Sequence, residues 1–231
     1  MDKAVSYLLL QINDAAFPIG GYSHSYGLET YIHDKSVHDA TSAWEYVRAN
    51  LSNSFIYGEL LPVRLAYEAA KAKDLAALIK LERLSVASRT AMESRQASLK
   101  LGSRLVKTSM PLLTPDMDKE FFEAYFEATG RSLCTHPTAY GVFCAVANIE
   151  RGEALGAFLY AQTSAMVINC VKTVPLSQTD GQAILAKARL LFDALVEETM
   201  TLNEDALFIS CPGLEIHAMR HEQLYSRLYM S

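Results

Sequence analysis

The stretch ALGAFLYAQTSAMVINCV, at residues 154–171, contains no Asp, Glu, Lys or Arg. Its apolar side chains recur three and four residues apart, as the positions of Leu155, Phe158 and Leu159 illustrate, and this period is typical of an α-helix. We therefore predict a helix over about 153–171 that is central in the fold and buried on most sides. The segment 138–149 has the same apolar character and predicts a second such helix.

Helical periodicity continues on both sides of this stretch, and sustained strand-like alternation is absent. The sequence predicts an all-α fold, a single-domain helical bundle of about ten helices that covers residues 1–231. Residues 211–231, which include Pro212 and Gly213, are expected to form a flexible, partner-binding tail. The further helices are expected at about 42–55, 60–72, 75–90, 92–107, 119–128 and 179–199.

Local residue types suggest where several helices begin and end. Ser42 and Glu45 have capping-box spacing, with Asp39 as an alternative N-cap, and Thr179 with Gln182 has the same spacing. Pro62 suits the first turn of the helix at about 60–72, and Asp74 can cap the helix that follows. Gly130 is expected to end the helix at about 119–128. The clearest loop is 110–118, which contains two prolines.

Composition excludes several classes of function. Half of the 231 residues are hydrophobic, a fifth are charged, and the formal net charge is -5. Nucleic acid is not an expected partner, because phosphate binding needs clustered Lys and Arg. Neither a secretory signal nor a bilayer-spanning stretch is recognised, so no membrane is expected. The four cysteines form no C-x-x-C pair and predict reduced thiols in a cytosolic protein: Cys134, Cys144, Cys170 and Cys211.

The segment DAAFPIGGYSHSYGLE, at residues 14–29, has three possible interpretations. It could be a phosphate-binding loop, but no Lys follows the glycines. It could hold a Ser23–His24 nucleophile pair of a helical hydrolase, but no G-x-S-x-G motif, third group or oxyanion donor is identifiable. The third interpretation is a tight turn that enters a helix, with Ser23 as its cap.

Two features near the C-terminus are also candidates for function. His217 and His221 are four residues apart and would share a helix face, either as half of a metal site or as surface or interface residues. The last segment, HEQLYSRLYMS, is rich in aromatic and Arg side chains. Such a segment could anchor a partner or fold back on its own core, and the residues alone do not choose between these.

Three separated motifs together resemble the urease accessory protein UreF family. They are PIGGYSHS at 18–25 followed by GLE at 27–29, VPL at 174–176 followed by QTDGQ at 178–182, and HE at 221–222 followed by LYSRL at 224–228. A weaker match is His136 with Tyr140 and Gly141. Because the motifs keep their order from one end of the chain to the other, the resemblance covers nearly all of it.

The resemblance implies an all-α homodimer that is not an enzyme and needs no cofactor. Such a protein would bridge UreD, also called UreH, and the GTPase UreG, and would modulate UreG while nickel is delivered to the urease apoprotein in the cytoplasm. The alternative is a direct nickel-binding metallochaperone, for which the metal candidates are His217 and His221, with Cys211 as a possible further ligand. By this resemblance the partner-binding residues are Gly20, Gly21, Ser23, His24, Glu29, Gln178, Thr179, Gln182, His221, Glu222, Tyr225 and Arg227.

Overall fold

A computed structural model describes residues 3–21, 24–209 and 211–230 of the chain. The predicted all-α class is confirmed, since these residues form helices, turns and loops and no strand. A π-helical segment covers Leu51–Leu60, and 3₁₀ turns cover Met110–Leu112 and Glu204–Ala206. The α-helices are α1 Lys3–Asn13, α2 Leu28–His33, α3 Ala40–Asn50, α4 Leu61–Lys71, α5 Leu75–Ser88, α6 Met92–Ser109, α7 Lys119–Leu133, α8 His136–Val146, α9 Arg151–Thr173, α10 Gln178–Arg189, α11 Phe192–Thr201 and α12 Pro212–His221.

The central helix of the fold is α8, because every one of its residues is buried. It packs most extensively against α4 and next against α6. At Gly141 the backbones of α8 and α4 come so close that a side-chain carbon would overlap the carbonyl oxygen of Val63. The glycine therefore sets the separation of the two helices on which the core is built.

The long apolar helix α9 is less buried than its sequence predicts. One side packs against α10, α11 and α1, but Tyr160 is 46% and Ile168 is 40% exposed. The prediction that α9 is buried on most sides is therefore wrong, because α8 occupies the centre. By length and composition α9 could also cross a membrane, contrary to the expectation that no stretch would, although 44% of its apolar window is buried against the protein.

Helices α3 and α4 are joined without a break through the π-helical segment, so the helix predicted to end near residue 55 continues. Pro62 does lie in the first turn of α4, and it cannot donate a hydrogen bond to the preceding turn. The wider π-helical turn releases nearby carbonyl groups to outside donors. Tyr57 O accepts from Phe208 N at 3.1 Å, and Gly58 O accepts from Arg89 Nη2 at 3.4 Å.

The predicted alternative N-cap Asp39 is confirmed, whereas the two predicted capping boxes are displaced. The N-cap of α3 is Asp39, which pairs with Ser42 in a capping box, while Glu45 instead binds Arg48 on the exposed face of the same helix. The N-cap of α10 is Ser177, paired with Asp180, rather than Thr179 with Gln182. In both cases the N-cap is a short polar residue two or three positions earlier in the chain than predicted. The third helical position is Ser42 in α3 and Asp180 in α10, where the predicted boxes had glutamate or glutamine.

Other predicted boundaries are confirmed or revised. The Asp74 carboxylate accepts from Ala77 N and caps α5, and Gly130 interrupts α7 with a φ of 56°. The single helix predicted over 179–199 is divided into α10 and α11 at Leu190 and Leu191. The backbone amides of these two leucines donate to the carbonyl oxygens three residues earlier, instead of four as in an α-helix. This 3₁₀-type bonding tightens the chain into a turn.

A buried carboxyl group ties α5 to the junction between α7 and α8. Glu82 is fully buried, and its carboxylate accepts from Thr135 N at 3.0 Å, from Thr135 Oγ1 at 2.6 Å and from the Tyr125 hydroxyl. Burial raises the pKa of Glu82 to about 7, although hydrogen bonds from Thr135 and Tyr125 oppose this shift. These bonds fix the start of α8 within the core.

The close approach of α8 and α4 predicts the effect of Gly141→Ala. We expect a loss of about 1–3 kcal/mol in the free energy of unfolding, because the added carbon must push the two helices apart. Gly156→Ala, in α9, is the matched control, since a side-chain carbon added there would have no heavy atom within 4 Å. It should raise stability by about 0.5–1 kcal/mol. Equal urea midpoints for the two variants would contradict this account of the core.

Candidate functional site

The C-terminal end of α12 carries a buried imidazole between two carboxylates. His221 is 0% exposed, with Nε2 2.8 Å from Glu29 Oε2 and Nδ1 2.6 Å from Glu93 Oε2. Each ring nitrogen is thus within hydrogen-bonding distance of a different carboxyl group, one on α2 and one on α6. The hydrogen bonds offset part of the cost of burying these polar groups.

The same carboxylates hold the end of the chain. Glu29 accepts from the backbone amides of Leu228 and Tyr229 at 2.8 and 3.0 Å, and Arg227 Nη1 donates to Glu93 Oε1 at 2.6 Å. We refer to the side chains of Glu29, Glu93, His221 and Arg227, with these two amides, as the C-terminal clasp. It joins α2, α6, α12 and the last residues of the chain.

Close packing between α2 and α12 brings Glu29 to His221. Gly27, the N-cap of α2, has a φ of 86°, and a side-chain carbon there would lie 2.7 Å from Ala218 N. Only glycine therefore allows α12 to rest directly on the start of α2. A hydrogen bond also links the two helices, because Thr30 Oγ1 donates to His217 O at 2.9 Å.

A second histidine binds the other end of α2. His217 stacks on Tyr31 with ring centroids 3.6 Å apart, and its Nε2 lies 2.9 Å from Asp34 Oδ2. Its Nδ1 lies 2.7 Å from Gly213 O. Burial opposes ionisation of Asp34, but hydrogen bonds from Ser36 and His217 outweigh it and hold the pKa of Asp34 below its usual value.

Beyond the clasp, the tail presents apolar side chains to solvent. Tyr225 is 107% exposed, Leu228 is 78% exposed and Met230 is 53% exposed. On α12, Ile216 and Met219 are exposed as well. The backbone of this segment is held by the clasp while its large side chains point outward, and an exposed apolar set of this kind is typical of a protein-binding surface.

The structure brings three of the predicted site residues together. Glu29, His221 and Arg227 meet in the clasp, and Tyr225 lies on the exposed face of the tail. Glu222 is the exposed C-cap of α12. The segment folds back on the body, as one of the two interpretations expected. It also exposes aromatic and apolar side chains, and its role as a partner anchor stays a prediction.

One clasp residue was missed by the sequence analysis. Glu93 bridges His221 and Arg227, yet in the sequence it is only an acidic residue in the first turn of α6. Such residues are common at helix starts because they favour the positive end of the helix dipole. No local pattern separated Glu93 from an ordinary acidic residue at a helix start.

Gly20, Gly21 and His24 lie in the loop that precedes α2 and are not clasp residues, although the Glu93 charge acts on His24. Ser23 lies outside the described residues. His24 is buried, and its backbone oxygen accepts from Asn169 Nδ2 at 2.8 Å. Burial lowers the pKa of His24 to about 4, with the nearby charges of Lys100 and Arg104 acting in the same direction. Its imidazole is therefore neutral at neutral pH.

A cavity of about 190 Å³ lies beside this loop, and Gly21 and His24 line it. His136 also faces it, and burial together with Arg89 lowers the pKa of His136 to about 4. Glu59 lines the cavity with its carboxylate 2.7 Å from Arg89 Nη2, so that charge is paired. The cavity thus presents two neutral imidazoles, one internal ion pair and the Glu215 carboxylate, which accepts from Thr90 Oγ1.

The remaining predicted residues lie elsewhere. Gln178, Thr179 and Gln182 are exposed on the first turns of α10, which packs against α9 and α3. Their sequence motif is explained locally by the Ser177 cap, and the predicted role in partner binding stays a prediction.

The metal candidates are not arranged as ligands. Within the described ranges, no group of three or more His, Cys, Asp or Glu side chains could hold a metal ion. His217 and His221 each have both ring nitrogens at hydrogen-bonding distance from oxygen atoms. A metal ion could bind either ring only after displacing one of these bonds.

Comparisons with known proteins agree with the motifs. The family model named UreF matches residues 37–189. The urease accessory protein UreF of Actinobacillus pleuropneumoniae serotype 3 (strain JL03) is 38% identical over 223 residues, with 96% of this chain and 97% of the relative covered. That of Bacillus sp. (strain TB-90) is 35% identical over 230 residues, with the same coverage. That of Arthrobacter sp. (strain FB24) is 34% identical, and both chains are covered completely.

The geometry of the clasp predicts that Glu29→Ala frees the tail. We expect the amides of Leu228 and Tyr229 to lose about tenfold or more of their protection from hydrogen exchange, which corresponds to about 1.4 kcal/mol. Glu45→Ala removes an exposed carboxylate on α3 and is the control. Unchanged protection of both tail amides in Glu29→Ala would show that the clasp does not hold the tail.

Proposed function

Because this chain belongs to the UreF family of urease accessory proteins, we propose that it is a non-catalytic docking protein of urease maturation. In this proposal it bridges UreD, or UreH, and the GTPase UreG, and it modulates UreG while nickel is inserted into the urease apoprotein. The observation that carries the proposal is the tail, whose backbone is fixed by the clasp while its large apolar side chains face outward.

A preorganised surface of this kind supports docking for an energetic reason. Ordering a flexible segment on a partner costs conformational entropy for every residue that becomes fixed. The clasp fixes Leu228 and Tyr229 before any partner arrives, so part of this cost is removed from the binding step. Tyr225 and Leu228 are then free to act as anchors in a partner pocket.

A non-catalytic role agrees with the chemistry of the described residues. The buried histidines are either held between carboxylates, as His221 is, or neutral in the cavity, as His24 and His136 are. The cysteines Cys134, Cys144 and Cys170 are buried, and burial raises their thiol pKa values. None of these groups is an activated nucleophile beside a base.

The direct metallochaperone alternative is less well supported. Its ligands would be His217 and His221, whose ring nitrogens already contact Gly213 O, Asp34, Glu29 and Glu93. Calorimetric titration of the chain with nickel tests this alternative. Tight stoichiometric binding that is lost in the double variant His217→Ala, His221→Ala would favour it.

We further propose that the protein acts in the cytoplasm as a homodimer. Free cysteines suit a reducing compartment, and the described cysteines form no disulfide. Self-association is supported by exposed apolar side chains on two helices, which are Tyr160 and Ile168 on α9 and Tyr7 and Leu10 on α1. Removing apolar surface from water has a favourable free energy.

Partner capture tests the docking role. Affinity-tagged chain should co-purify with UreD and UreG, and deletion of residues 222–231 should abolish both UreD binding and urease activation. Leu228→Ser should weaken UreD binding by about tenfold or more, because an exposed anchor is lost without disturbing the core. Leu190→Ser changes a side chain that is 84% exposed elsewhere on the surface and is the matched control. Normal urease activation by the deletion variant would reject the proposal.

Light scattering after gel filtration tests the homodimer. The unmodified chain should elute with twice its 25.6 kDa mass, and Ile168→Glu should give a monomer because a buried unpaired carboxylate is costly. Leu84→Glu, at a similarly exposed leucine on α5, should leave the dimer intact. A monomeric unmodified chain would refute the proposed self-association.

A further inference from the structure

The motif formed by His136, Tyr140 and Gly141 is explained by packing only in part. Tyr140 donates from its hydroxyl to Ala154 O at 3.2 Å, and Gly141 allows α8 to approach α4. His136, at the start of α8, is 6% exposed, and its backbone amide donates to Ser98 Oγ at 3.2 Å. None of these contacts uses the imidazole ring of His136, so the packing of α8 does not explain why a histidine stands there.

The imidazole ring of His136 lines the cavity of about 190 Å³ described above. Phe158 packs beside the ring, with the two centroids 5.3 Å apart. No hydrogen bond joins either ring nitrogen to another part of the described chain. The ring nitrogens are not among the buried side-chain atoms that lack a partner, so they are accessible from the cavity. A nearly buried polar group that opens into a cavity without a protein partner is typical of a binding site.

The ring of His136 defines what a bound molecule must offer. Burial lowers the pKa of His136 to about 4, and the charge of Arg89 acts in the same direction. At neutral pH the ring is therefore uncharged, and it presents one N–H donor and one bare nitrogen that accepts. A group that satisfies both nitrogens must contain an acceptor and a donor, as a carboxamide or a hydroxyl does.

The charged groups of the cavity favour an uncharged occupant. Arg89 Nη2 is paired with Glu59 at 2.7 Å, and the Glu215 carboxylate accepts from Thr90 Oγ1. The charge of Arg89 acts on the ring of His136 and disfavours a cation beside it. The carboxylates of Glu59 and Glu215 disfavour an anion in the same space. An ion would also lose its water without gaining a free counter-charge at the ring.

The cavity also has apolar walls that suit a ring. They are contributed by separate elements, namely Phe55 of the π-helical segment, Leu101 of α6, Met166 of α9 and Leu214 of α12. An apolar cavity of about 150 Å³ in another protein is large enough for benzene. The cavity of this chain can therefore hold one aromatic ring that carries a small polar substituent.

We propose that this cavity is a binding site for a small, uncharged aromatic molecule that carries a carboxamide or hydroxyl group. The imidazole of His136 exchanges hydrogen bonds with the polar group, and the apolar walls hold the ring. Leu214 and Ala218 of α12 line the same cavity, so a bound molecule contacts the helix that ends in the clasp. The site goes beyond the docking role of the tail, and its existence is a property of the isolated chain.

Four probes that share one ring test the chemistry of the site. Benzamide is uncharged and has both a donor and an acceptor, benzoate is an anion, benzylammonium is a cation, and toluene lacks the polar group. Each is titrated into the full-length chain, and the backbone amide NMR signals of the cavity lining are followed. Benzamide should bind with an affinity about tenfold or more above that of the other three. No binding of benzamide, or equal or tighter binding of any other probe, would overturn the proposal.

Substitutions in the lining locate the bound molecule. His136→Phe keeps a ring but removes its donor and acceptor, so it should weaken benzamide binding by about tenfold or more and leave toluene binding unchanged. Ala165→Leu adds bulk at a lining position of α9 and should exclude both probes. Ala161→Leu, one turn earlier on α9 at a similarly half-buried position outside the lining, is the matched control and should bind both normally. Equal benzamide affinities in the two leucine variants would refute the site, whether or not His136→Phe folds.

Hydrogen exchange gives an independent measure of where benzamide binds. Saturating benzamide should slow exchange of the amides of α12, because the bound molecule contacts Leu214 and Ala218. Helix α7 contributes no residue to the lining, so its amides should exchange at the same rate with and without benzamide. Slower exchange in α7 with no change in α12 would place the molecule elsewhere and contradict the proposal.

Discussion

The C-terminal region depends on one buried carboxylate, that of Glu29. It accepts from the ring of His221 and from two backbone amides, so one side chain joins α2, α12 and the end of the chain. Removing a carboxylate from water has a large desolvation cost, and hydrogen bonds from its donors offset this cost only while all of them are formed. The same group that fixes the tail therefore makes the region sensitive to the loss of any single donor.

This region is built differently from the core that supports it. Helix α8 is held by close helix contacts and complete burial, whereas α2 has six residues and carries the clasp at its first turn. Short helices are marginal without tertiary contacts, and elements with few buried contacts open more easily than a core. Ion pairs and the glycine contact at Ala218 thus stabilise a part of the molecule that hydrophobic burial alone would leave loose.

The sequence predicted the fold better than it predicted the site. Helical periodicity revealed the class and most helices, because burial on one face leaves a repeating pattern. It could not rank α8 above α9 as the central helix, since both are apolar and the decisive contact is a glycine beside Val63. Motif resemblance selected Glu29, His221 and Arg227, but Glu93 has no distinguishing local pattern, and its role arises only when α6 meets α12.

The π-helical segment Leu51–Leu60 has a consequence for how this protein can vary. An α-helical residue advances by about 100° around the axis, so one residue deleted here would rotate all of α4 by that angle relative to α3. Arg64 would then turn away from Leu202 O, to which it now donates at 2.6 Å, and the face of α4 that meets α8 would be lost. Length changes in related chains should accordingly accumulate in the connecting loops and avoid this helix.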